Sequence, residues 1–69
     1  MHPLKSLLWD LDRRVRAAAV NALAKLEDRL PEEVIKDIAA RLQDDGRYVR
    51  KSAYRTLKIF YESGIPLPG

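Results

Sequence analysis

A 34-residue echo dominates this chain. The stretch Asp10-Leu11-Asp12-Arg13-Arg14-Val15-Arg16-Ala17-Ala18-Ala19 returns as Asp44-Asp45-Gly46-Arg47-Tyr48-Val49-Arg50-Lys51-Ser52-Ala53. The pairs Leu8/Leu42, Arg13/Arg47, Val15/Val49 and Leu23/Leu57 all share that offset. A fixed period between about 20 and 50 residues marks an array of stacked units. Each unit of such an array touches only its neighbours, so the architecture makes extended surfaces rather than buried reaction sites.

The period divides the 69 residues into one domain of two units: unit one at 3–30, unit two at 31–64, and a tail at 65–69. A chain of this length builds only a small core. It has no cysteine, so neither a disulfide nor a thiolate zinc site stiffens it. No run approaches the roughly 18 apolar residues that span a bilayer. Lys5, Ser6 and Asp10 interrupt the opening apolar stretch in a way no secretory leader does. The expectation is a soluble protein of the cell interior, in the cytoplasm, with no membrane partner.

Three long helical segments follow from the apolar spacing. The first is expected over about 13–29, capped by Asp12, with Val15, Ala18, Ala19, Ala22, Leu23 and Leu26 inward. Pro31 ends it and opens the next, and Glu32 and Glu33 suit the positive end of the helix dipole. Val34, Ile35, Ile38, Ala39 and Leu42 form that second inward face, and Asp44-Asp45-Gly46 stops it, with Gly46 free to turn left-handed. The third helix runs over about 47–62 with Val49, Ala53, Thr56, Leu57 and Phe60 inward, and Ser63-Gly64 closes it. A short helix beginning at Pro3, with Leu4, Leu7 and Leu8 on one side, precedes them. No alternating β pattern occurs. The fold class is all-α: two helical hairpins, the first truncated.

The phrase Asp-x-Asp-x-x-Val-Arg-x-Ala-Ala-x-x-Ala-Leu-x-x-Leu, carried by Asp10, Asp12, Val15, Arg16, Ala18, Ala19, Ala22, Leu23 and Leu26, resembles the second half of a HEAT repeat. Asp44, Val49, Arg50, Ala53, Leu57 and Phe60 carry it again, with Gly46, Ser52 and Thr56 departing from the pattern. Leu30-Pro31-Glu32-Glu33-Val34-Ile35 through Leu42 is similar to the A helix of HEAT-like arrays behind the nucleotide-binding domains of some fungal NACHT-type receptors. The resemblance implies an α-α superhelix, a slice of a HEAT-like solenoid whose B helices line the concave side. It implies a scaffold or partner-binding role; rarer HEAT-like relatives are bilin (PBS) lyases or DNA glycosylases. It also offers partners for two arginines at the edge of the apolar faces. Arg16 and Arg50 are expected to bond to Asp10, Asp12 or Asp44, within or across units, as a structural ladder.

The net charge is only +3, but it is uneven. From Arg47 to Lys58 there are five bases and no acid. Arg47, Lys51, Arg55 and Lys58 follow at spacings of 4, 4 and 3, which aligns them along one helix side with Tyr54 beside them. Such a stripe serves solubility, an acidic protein surface, or phosphates. Unit one carries Ala17, Asn21 and Ala24 where unit two has Lys51, Arg55 and Lys58, so the stripe does not run on as a nucleic-acid track would.

Alanines on nearly all sides of the first long helix point to neighbours on most sides, and Leu4, Leu7, Leu8 and Trp9 leave no polar cap at the chain start. Ile65-Pro66-Leu67-Pro68 echoes Leu30-Pro31 as the opening of a further A helix. Self-association through apolar end faces is therefore a third expectation. Trp9-Asp10 alone makes no glycosylase site, and His2, the sole histidine, has no ligand set around it. No catalytic, cofactor or metal residue is assigned. The sequence points to a non-catalytic protein-interaction or scaffold module using Arg47, Lys51, Tyr54, Arg55 and Lys58. Nucleic-acid binding by the same face and a purely structural section of a longer array are the alternatives.

Overall fold

Two aspartate turns punctuate the chain and start its two longest helices. The computed structural model describes residues 4–68. Among these are α1 (Leu4–Leu7), α2 (Arg13–Ala24), α3 (Glu32–Ala40) and α4 (Arg47–Glu62), with single 3₁₀ turns at Glu27–Arg29 and Arg41–Gln43. His2, Pro3 and the side chain of Leu4 lie outside what is described. Residues Asp12 and Gly46, one period apart, adopt the same extended backbone (φ −86°, ψ 118° and φ −86°, ψ 119°).

The two turns solve the first-turn amide problem differently. Asp12 Oδ1 accepts from the Arg14 amide at 2.8 Å and caps α2. Gly46 has no side chain to offer α4, and its φ is negative, so left-handed freedom is not its role. Its role is close approach. A Cβ there would stand 3.1 Å from Val49 Cγ2, 3.2 Å from Arg13 Cβ and 3.2 Å from Asp44 Oδ1.

The first long helix is shorter than the 13–29 expected. It stops at Ala24, and Glu27 takes φ +42°, a left-handed step that carries no glycine or asparagine signature. The closing of α4 is easier to read. Gly64 takes φ +82°, and the Ile65 amide returns to Phe60 O at 2.9 Å. Beyond it, residues 65–68 carry no regular secondary structure and do not begin a helix.

Helices α1 and α3 form one layer, α2 and α4 the other. The ammonium of Lys5 on α1 bonds Glu33 and lies 3.8 Å from Asp37 on α3. Packing of α2 against α4 is the main joint, supported by α1 on α2 and α3 on α4. The core between the layers is Leu8, Ala19, Val20, Leu23, Val34, Ile35, Ile38, Ala53, Leu57 and Phe60. Each fully buried large side chain there contributes about 1.5–3 kcal/mol.

The inward face of α4 is the expected one, with Ser52 added. That of α2 is rotated. Its buried residues are Arg16, Ala17, Ala19, Val20 and Leu23, whereas Ala18 is exposed and Val15, Ala22 and Leu26 are half-buried. Leu42, expected inside, is exposed at 37%.

Candidate functional site

The joint between the units is organised by one arginine. Arg16 projects from α2 into the turn that starts α4. Its Nε donates to Asp44 Oδ2 at 2.8 Å, and Nη2 donates to Asp44 Oδ1 at 2.9 Å and Asp45 Oδ1 at 2.7 Å. Nη1 donates to the carbonyls of Asp10 at 2.7 Å and Leu11 at 3.1 Å. The five guanidinium donors therefore all have acceptors. Asp44 is matched in turn. Its oxygens also accept from Arg41 Nη1 at 2.9 Å and from the Gly46 amide at 2.8 Å.

The Asp44 side chain is 1% exposed, a place where an unmatched charge would be costly. Burial is the largest single influence on its carboxyl and pushes it up. The Arg16 bond, the Gly46 amide and the charges of Arg16 and Arg41 together outweigh burial, and the carboxyl sits below its usual range. Arg16 is raised, chiefly by the bond to Asp44. Arg41 also stacks on Trp9, with Cζ 4.3 Å from the ring centre, tying the segment after α1 in unit one to the turn of unit two.

One period later the arrangement is half built. Arg50 Nη1 donates to the Asp44 carbonyl at 2.7 Å, as Arg16 Nη1 does to the Asp10 carbonyl. Asp10 Oδ1 accepts the Asp12 amide at 2.9 Å, as Asp44 Oδ1 accepts the Gly46 amide. But Arg50 is exposed, and its Nε and Nη2 meet no acceptor among the described residues. Asp12, expected in the ladder, is instead the α2 cap and pairs with Arg14 Nη2 at 3.2 Å. The Arg14 side-chain bond is the largest influence lowering its carboxyl.

Arg47, Lys51, Tyr54, Arg55 and Lys58 all lie exposed on α4. The period shows which surface they occupy. Their unit-one equivalents are Arg13, Ala17, Val20, Asn21 and Ala24. Ala17 is 2% exposed and Val20 0%, whereas Tyr54 is 63% exposed and Lys51 is open to solvent. The reverse holds on the other flank, where Val49, Ser52 and Thr56 are buried and their equivalents Val15, Ala18 and Ala22 are not. Ala17 and Val20 are buried and Asn21 and Ala24 half-buried where α2 packs on α4, while Arg13 stays exposed; Val49, Ser52 and Thr56 are the buried flank of α4. The cationic stripe therefore occupies the end face of unit two that corresponds to the face unit one buries. Beside it, Ala39, Leu42, Leu57 and Leu67 floor an apolar groove walled by Tyr54, Tyr61 and Lys58.

The same period, the A-on-A and B-on-B layering and the turn arginine meeting the next turn's aspartate converge with the sequence comparison. The family model for HEAT repeats matches residues 1–65. This chain belongs to the HEAT-repeat family. Comparison with curated proteins and with solved structures returns no match. HEAT repeats generally mediate protein–protein interaction or scaffolding and are generally non-catalytic. The match speaks for HEAT repeats and not for the narrower likeness to receptor-associated arrays.

Within this HEAT-repeat pair, sequence reasoning missed Asp45, Arg41 and the carbonyls of Asp10 and Leu11 as partners of the Arg16–Asp44 node. Asp45 was legible as the second of two adjacent aspartates. A carbonyl acceptor has no sequence signature. Among the described residues, no cluster of His, Cys, Asp or Glu is placed to hold a metal ion, and no helix is long and apolar enough to cross a membrane.

Proposed function

We propose that this HEAT-repeat pair is a non-catalytic docking module whose unit-two end face receives an acidic protein partner. The observation that supports this is the exchange of Ala17, Val20 and Ala24 for Lys51, Tyr54 and Lys58 at the positions where one unit meets the next. Cations and an exposed tyrosine there disfavour stacking of another alanine-faced unit. They suit a partner with carboxylates at its rim and an apolar side chain for the groove over Leu42 and Leu57.

Nucleic-acid binding by the same residues is the rival. The apolar groove and the absence of cations at Ala17, Asn21 and Ala24 weigh against it. A purely structural role has support at the opposite end. There Leu7, Arg14, Val15, Ala18, Ala19 and Ala22 line an open, largely apolar groove, a surface suited to association.

Chemical-shift mapping decides between these readings. A helical peptide with one leucine face flanked by glutamates should move the Lys51, Tyr54, Arg55 and Lys58 resonances saturably. A single-stranded oligonucleotide that binds there instead, and is lost steeply between low and moderate salt, would favour the rival. Shifts confined to Val15, Ala18 and Ala22 as protein concentration rises would favour self-association.

A further inference from the structure

The first turns of α2 and α4 meet around a cavity of about 620 Å³. Arg13 and Arg14 of unit one line it together with Gly46, Arg47, Tyr48 and Lys51 of unit two. Its walls come from both units of this chain. Arg13 and Arg14 stay exposed even with unit two packed beside them. A volume of this order suits a small organic ligand.

The charge lining this cavity is unbalanced. Arg13, Arg47 and Lys51 meet no carboxylate among the described residues, and Arg14 is paired with Asp12. Asp45 also lines the cavity, but one of its oxygens already accepts from Arg16 at 2.7 Å. A cleft lined mainly by one sign of charge concentrates the opposite sign.

Unit one shows which chemistry fits. There Asp12 Oδ1 accepts the Arg14 amide at 2.8 Å, and its two oxygens accept from Arg14 Nε at 3.3 Å and Nη2 at 3.2 Å. One period on, Gly46 stands in place of Asp12, and the Tyr48 amide has no side-chain acceptor. Close packing against Val49, Arg13 and Asp44 keeps a side chain out of that position. Unit two therefore gathers cations where unit one supplies its own oxyanion.

We infer that this cavity binds a phosphate monoester, whose oxygens accept from Arg13, Arg47, Lys51 and the Tyr48 amide. A monoester carries between one and a half and two negative charges near neutral pH and three acceptor oxygens, which matches several cations better than the single charge of a diester. The group could be carried by a phosphorylated side chain of a protein or by a small metabolite. The site is separate from the acidic-partner reading, which also uses Tyr54, Arg55 and Lys58.

The test is an NMR titration of the full chain at about pH 7.5, where the dianion dominates. The probes are inorganic phosphate and dimethyl phosphate, at constant ionic strength. Inorganic phosphate should shift the Tyr48 amide and the Arg13 Nε–Hε signal saturably, and dimethyl phosphate should bind about tenfold more weakly or not at all. Arg13→Gln with Arg47→Gln keeps the Arg13 Cβ against Gly46 and should weaken phosphate binding about tenfold, with the melting temperature unchanged. A capped phosphoserine peptide that binds more tightly than inorganic phosphate would name a protein source. Affinity no better than that of inorganic phosphate would name a small metabolite. Equal binding of dimethyl phosphate, or shifts spread evenly over Arg55 and Lys58 as well, would overturn the assignment. So would a Tyr48 amide that does not move.

Discussion

Helices α2 and α4 descend from one pattern and live in different surroundings. They begin from identical backbone turns and carry the same Val-Arg-x-x-Ala phrase. Yet α2 buries Ala17 and Val20 where α4 exposes Lys51 and Tyr54, and α4 buries Ser52 and Thr56 where α2 leaves Ala18 and Ala22 more open. The difference teaches that in a two-unit array a residue's environment is decided by which neighbour stands beside it. Positions that face the partner helix in both units keep their character, as Ala19/Ala53 and Leu23/Leu57 do. Positions that face a neighbour in only one unit are where the sequences part.

Breaking the shared node should give the largest effect. Asp44→Ala strips acceptors from Arg16 and Arg41 together and should destabilise by about 3 kcal/mol or more, enough to unfold much of so small a domain. Asp10→Ala, at the equivalent position, loses its bond to the Asp12 amide and a minor charge interaction with Arg16, and should change stability by about 1 kcal/mol or less. Urea denaturation of the two variants makes the contrast direct.

Swapping the end faces sharpens it next. Ala17→Lys forces a long cation into the joint and should destabilise by about 2 kcal/mol. Lys51→Ala, the reverse change one period later, should fall within about 0.5 kcal/mol of the parent. Thermal melts of the pair read both.

Acid should act through the same node. The folded Asp44 carboxyl lies below its usual range, so between that value and the unfolded value of about 3.9 the unfolded chain binds the extra proton. Its stabilisation is fully present above about pH 4 and is lost as pH falls through the folded value. Urea midpoints from pH 5 to pH 2 should fall, and Asp44→Asn should flatten that slope.

The smallest effect concerns Ser52. Its hydroxyl is buried with no hydrogen-bond partner among the described residues, at the position where unit one has Ala18. Ser52→Ala should stabilise by about 1 kcal/mol, measured by the same urea titration.

Much of this architecture could be read from the 34-residue echo, and the failures have physical causes. The inward face of α4 was legible because large apolar residues lie on one side only and set a clear phase. In α2 alanines lie on every side, so the phase was lost and Ala18 was placed inside instead of Ala17 and Val20. The turn at Glu27 was hidden because the residue that goes left-handed is neither glycine nor asparagine. The turn arginines and aspartates are legible by type, and Arg16 with Asp44 across the units is among the expected bonds. The places of Asp12 and Arg50 are not legible, since Asp12 is drawn to the amide and side chain of Arg14, and Arg50 finds a backbone carbonyl instead of a carboxylate. That the basic stripe sits on an end face needed the burial of its unit-one equivalents, a fact about neighbours that one helix cannot carry.

Hydrogen exchange at the arginine Nε–H groups tests most directly whether equivalent residues part because a neighbour covers one of them. The Arg16 Nε–H, sealed against Asp44, should exchange far more slowly than that of Arg50, which should approach the rate of a solvent-exposed arginine. Equal rates for the two would mean that the joint between the units is not closed as described, and that the contrast between α2 and α4 does not exist in solution.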